Sequence, residues 1–138
     1  MTAFIVSRKV DVPVDKVWGV AGNFHKSPGP GINVIVEKQG NPRSNGAGAE
    51  RTITIGSVCV RERLLSVNPP QSFSYTILSG APLKDHRATT DFIPRGSATE
   101  IRVAVEFTPK IPGTGWIVGM VTKKAINRYI DEIEKTTG

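Results

Sequence analysis

The run Arg51-Thr52-Ile53-Thr54-Ile55-Gly56-Ser57-Val58-Cys59-Val60-Arg61-Glu62-Arg63-Leu64 decides how this chain folds. Before Gly56-Ser57, Arg51, Ile53 and Ile55 alternate with Thr52 and Thr54. That is strand period, and Gly-Ser is the composition of a tight two-residue hairpin turn. Two antiparallel strands follow, Ala49 to Ile55 and Val58 to Leu65, and the short turn sets their register. Ile55 stands opposite Val58, Ile53 opposite Val60 and Arg51 opposite Glu62. Val58, Val60, Glu62 and Leu64 then share the covered face, where a lone carboxylate is costly or takes up a proton. The register therefore predicts a cross-strand ion pair between Arg51 and Glu62.

The next strand is Ser72 to Leu78, in which Phe73, Tyr75 and Ile77 alternate with serine and threonine. If Leu64 stands beside Phe73, Tyr75 falls beside Glu62 and extends a polar row Arg51, Glu62, Tyr75. Asp85 to Ile93 and Thr99 to Thr108 add two strands around the turn Pro94-Arg95-Gly96-Ser97. Their inward sets are His86, Ala88, Thr90 and Phe92, then Ile101, Val103, Val105 and Phe107. Upstream, Ala3 to Val10 reads as strand and Pro13 opens a short helix to Gly22. The Pro/Gly-rich segment Asn23 to Gly31 reads as a surface loop, and Ile32 to Lys38 as strand.

From Gly113 to Glu134 the period becomes helical. Val118, Thr122, Ile126, Tyr129 and Ile133 line one stripe, while Lys123, Lys124, Asn127, Arg128, Asp131 and Glu134 lie on the other side. An amphipathic helix of that length covers apolar surface. The order of elements predicts a two-layer α+β domain with an antiparallel sheet, and 138 residues suit a single domain over 1–138.

The single cysteine, Cys59, excludes an internal disulfide framework and suits a reducing compartment. With only His25 and His86 besides, no metal centre and no cofactor are expected. The net charge of +6 raises nucleic acid or an anionic membrane as partners. The basic residues are scattered, however, and no aromatic platform is interleaved with them, which argues against nucleic acid. The Gly-rich segments lack the Gly-Lys-Ser/Thr ending of a phosphate loop. The apolar start Met-Thr-Ala-Phe-Ile-Val is too brief for a signal peptide, and no run is long enough to span a bilayer. A cytoplasmic location and a monomer or weak dimer are the expectations.

Several strings carry a resemblance: Val12-Pro13 with Val17-Trp18, Gly46-Ala47-Gly48-Ala49-Glu50-Arg51-Thr52, Glu62-Arg63-Leu64-Leu65, Ser74-Tyr75-Thr76-Ile77 and Ala81-Pro82-Leu83. In their order and spacing the chain resembles the polyketide cyclase/dehydrase and lipid-transport family, within the START and birch-pollen-allergen superfamily. The resemblance implies a helix-grip fold: a curved seven-stranded antiparallel sheet wrapped around a long C-terminal helix, with a cavity for a hydrophobic or aromatic small molecule between them. It departs at Asn23 to Gly31, where relatives often carry a second tryptophan, so that this loop is the expected site of an altered cavity mouth.

The expected lining comprises Arg51, Glu62 and Tyr75, then His86, Thr90, Phe92 and Val103 from the sheet, and Val118, Thr122, Ile126 and Tyr129 from the helix. Two roles are open for the polar row: fixing strand register, or orienting a ligand head through the guanidinium fork. His86 is expected at a strand end near the opening. Thr122 and Tyr129 are either core fillers or cavity contacts, and Cys59 points to the opposite face with no nucleophile signature. The leading expectation is a binding or carrier protein. Its rivals are an aromatase/cyclase-like enzyme, with Arg51 polarising a carbonyl and Tyr75, His86 or Glu62 transferring protons, and a protein-interaction module.

Overall fold

Alternating apolar and polar residues build seven strands, and two amphipathic segments build the helices that cover them. The computed structural model describes residues 1–41 and 46–137. Residues 42–45, within the Gly-rich stretch Gly40 to Gly48, lie outside the described residues. The order is β1 (Thr2–Val10), α1 (Val14–Ala21), β2 (Ile32–Lys38), β3 (Glu50–Ile55), β4 (Val58–Asn68), β5 (Ser72–Ser79), β6 (Leu83–Arg95), β7 (Ala98–Pro109) and α2 (Gly115–Thr137). All pairings are antiparallel in one seven-stranded sheet, ordered β1-β7-β6-β5-β4-β3-β2.

The sheet curls around α2. The helix runs along β1: Gly115 lies against Thr2, the Lys123 ammonium sits 5.2 Å from the Phe4 ring, and Arg8 bonds the Asn127 carbonyl and the Asp131 carboxylate. On its other flank the same helix sends the Arg128 guanidinium to the Gly56 turn between β3 and β4. β1 and β3 are five strand steps apart, about 24 Å across a flat sheet. A helix of roughly 10–12 Å diameter that runs along one edge strand and also touches the other side requires a strongly curved sheet.

The β3–β4 hairpin has the expected register. Gly56 takes a φ of 59° at the first turn position, the left-handed conformation that a II′ turn demands there, and Arg51 stands opposite Glu62. On the outer face Glu50 receives forked bonds from Arg61 (2.8 and 3.1 Å) and Arg63 (3.0 and 3.1 Å), so that ion pairs hold both faces.

The β4–β5 register differs from expectation. β4 continues to Asn68, the Gln71 N–H closes the turn on the Asn68 carbonyl, and Phe73 pairs with Val67. A bulge at Leu65 absorbs one residue, which puts Tyr75 opposite Leu64 and Ile77 opposite Glu62. The net slip is two residues, an even number, so Tyr75 keeps its face. At the far end of the sheet α1 packs Val17 and Ala21 inward, and its Trp18 ring meets Phe92 edge-on, centroids 5.6 Å apart. Gly22 caps α1 where a Cβ would lie within 2.4 Å of the Trp18 ring, so the chain turns there only without a side chain.

Candidate ligand site

Between α2 and the concave sheet lies a cavity of about 410 Å³. Its walls are aliphatic: Ile53 from β3, Val60 from β4, Ile77 from β5, Ile101 and Val103 from β7, and Val118, Ala125, Ile126 and Ile130 from α2. The polar lining gathers around Arg51 and Glu62, both almost wholly buried. Arg51 Nε and Nη2 each donate to Glu62 Oε1 at 2.9 Å. Nη1 donates to the Phe24 carbonyl at 3.1 Å, and the Phe24 ring lies 4.0 Å from the guanidinium carbon. The guanidinium is thus held on two sides and covered by an aromatic face.

The electrostatics follow from burial and from this pair. Burial works to lower the Arg51 pKa, but the Glu62 carboxylate together with Tyr129 and Tyr75 outweighs it and holds the guanidinium above its ordinary range. Burial pushes the Glu62 carboxyl up, and Arg51 beside it opposes that rise. A guanidinium does not shed its proton in proteins, and two of its nitrogens lie 2.9 Å from Glu62 Oε1, the geometry of an ion pair. Tyr75 and Tyr129 are both pushed up, chiefly by burial, and stay protonated donors. His86 is pushed down to about 4 by burial and is neutral at pH 7.

His86 is the fourth residue of β6 and only 5% exposed, which corrects its expected place at a strand end by the opening. β6 starts two residues early, a register shift falls between Lys84 and Arg87 with Asp85 at φ 52°, and His86 keeps the inward face it shares with Ala88, Thr90 and Phe92. The Ile77 N–H donates to Nδ1 at 3.1 Å, which leaves the proton on Nε2. The His86 ring lies against Tyr75, centroids 5.9 Å apart.

Ten of the eleven expected side chains line the cavity: Arg51, Glu62, Tyr75, His86, Thr90, Val103, Val118, Thr122, Ile126 and Tyr129. Phe92 does not. It shares their face of the sheet but lies where α1 covers it, packed on Trp18 and Phe73. Thr122 Oγ1 donates to the Val118 carbonyl at 2.7 Å, so its hydroxyl is spent within the helix. Cys59 is exposed, yet part of it borders the cavity.

The opening is not at Asn23 to Gly31, because no residue of that loop lines the cavity. The lining residues that are also exposed, Ser57, Cys59, Gly80, Pro82, Ile117 and Val121, mark it between two hairpin tips and the start of α2. The loop instead lies on the second half of α2, where the Gly31 N–H donates to Glu132 Oε1 at 2.5 Å. Alternation already put Ile53, Val60 and Ile101 on the covered face, whereas Phe24, Ala81 and Pro82 come from loops with no periodic signal. Among the described residues no three His, Cys, Asp or Glu side chains gather as a metal set, and no helix is long and apolar enough to cross a membrane.

This architecture agrees with what the chain is similar to. Residues 1–133 match the family model of polyketide cyclase/dehydrase and lipid transport, and the chain belongs to that family. No curated protein sequence matches it. Among solved structures it resembles a START superfamily protein from Mycobacterium smegmatis (TM-score 0.77, 11% identity, 98% of this chain and 96% of that one). It also resembles Ara h 8.0201 (TM-score 0.74, 20% identity, 99% and 97%). A third is norcoclaurine synthase from Thalictrum flavum in complex with dopamine and hydroxybenzaldehyde (TM-score 0.68, 14% identity, 97% and 84%). At these identities the likeness is one of fold.

Proposed function

We propose that this protein binds and carries a hydrophobic or aromatic small molecule between the sheet and α2. The observation that supports this reading most is the aliphatic cavity of about 410 Å³ reached past Ile117 and Val121. That volume lies at the lower end of the roughly 300–1,000 Å³ of small-molecule sites, enough for one or two rings or a short chain. Excluded apolar surface provides the affinity, at roughly 25 cal/mol per Å² before ordering costs, and the polar groups set orientation. Family membership and a structural neighbour holding two aromatic molecules point the same way.

The cyclase-like alternative draws on Tyr75 and His86 meeting at one cavity wall. Their state favours carriage over proton transfer. His86 has one nitrogen consumed by the Ile77 amide and a pKa of about 4, Tyr75 is held protonated, and Glu62 is tied to Arg51. Native mass spectrometry of the freshly purified chain tests the carrier reading: an apolar adduct that organic extraction removes supports it. Failure of any apolar probe to bind overturns it.

A further inference from the structure

We propose that the cavity selects ligands whose polar end is uncharged and bears oxygen, such as a phenol, an alcohol or a ketone, over the matching carboxylate or amine. This deepens the carrier reading and rests on it. Among the described lining residues Arg51 and Glu62 are the only ones with formal charges, and these cancel across 2.9 Å. The guanidinium is already committed to Glu62, to the Phe24 carbonyl and to the Phe24 ring. A carboxylate entering the cavity finds no uncompensated cation, and an ammonium finds no uncompensated anion. Either one loses its hydration for no counter-charge.

The same cluster is equipped for a neutral oxygen. His86 presents Nε2–H, since Nδ1 is taken by the Ile77 amide, and Tyr75 beside it presents its hydroxyl. Both Arg51 bonds to Glu62 end on Oε1, which leaves Oε2 to accept a hydroxyl proton from the ligand. These donors and this acceptor, with the Tyr129 hydroxyl also in the lining, match a hydroxyl or carbonyl group on an apolar frame.

The test uses four bicyclic probes titrated against the full chain at pH 7: 2-naphthol, naphthalene, 2-naphthoate and 2-naphthylmethylammonium. The expected result is 2-naphthol tightest, at least tenfold over both ions. It should also exceed naphthalene by about two- to twelvefold, the worth of one net hydrogen bond. Tyr75→Phe should shrink the naphthol-to-naphthalene ratio. Glu62→Gln, by uncovering the Arg51 charge, should shift preference toward 2-naphthoate. Binding of either ion as tight as 2-naphthol, or naphthalene equal to 2-naphthol, would overturn the proposal while leaving the carrier reading standing. No binding by any of the four removes both.

Discussion

Glu132 of α2 accepts the backbone N–H of Gly31, one hundred and one residues earlier in the chain, and is almost fully buried in doing so. A Cβ on Gly31 would lie 2.7 Å from Glu132 Oε1, and one on Gly29 would lie 2.9 Å from it. The Pro28-Gly29-Pro30-Gly31 segment is therefore glycine-rich for close approach to one carboxylate, which anchors the loop to the helix.

That contact predicts coupled mutations. Glu132→Ala should destabilise by about 1–3 kcal/mol through the lost charge-assisted bond. Gly31→Ala should also destabilise. The double variant should cost less than their sum, because removing the carboxylate makes room for the new methyl. Urea denaturation of the four proteins measures the coupling, and strict additivity would contradict it.

The Arg51–Glu62 pair predicts a different asymmetry. Arg51→Ala strands a buried carboxylate and should cost about 3–5 kcal/mol, whereas replacing both residues by aliphatic ones should recover most of the loss. The Arg51→Ala deficit should shrink as pH falls, since an unpaired Glu62 takes up a proton. Chemical denaturation between pH 4 and 8 distinguishes this from a loss independent of pH.

His86 should make stability depend on pH. Its folded pKa of about 4 lies below the ordinary 6.5, so the unfolded chain binds more protons between those values. Its contribution is fully present above pH 6.5 and is lost as pH falls toward 4, by up to about 3 kcal/mol. In His86→Phe that slope should flatten. Thermal melts across this window compare the two proteins, and equal slopes would assign the pH dependence elsewhere.

Val103→Phe should place a ring in the cavity. Ligand retention in native mass spectrometry should fall at least tenfold, while stability changes by no more than about 1–3 kcal/mol of overpacking. Unchanged retention would locate the ligand outside this space.

How far the sequence reached depends on how local each signal is. The Arg51–Glu62 pairing was readable because a two-residue turn leaves one register, and the face of each strand was readable because side chains alternate. The position of Tyr75 was misplaced by two residues because the β4–β5 turn is tighter than its Pro-Pro composition suggests and a bulge at Leu65 intervenes. Phe24 gave no signal at all. It belongs to a loop without period, and its contact with Arg51 exists only after the chain has closed over twenty-seven residues.

The amino-acid pattern by itself determined the strands, the long helix and the side of each that turns inward, since these follow from periods of two and 3.6 and from turn chemistry. Only the tertiary structure decided which inward residues border open space and which are packed solid. Phe92 and Thr90 share one face of one strand, but α1 covers the first and α2 leaves room over the second. Covering is a relation between elements distant in sequence, and no local period encodes it.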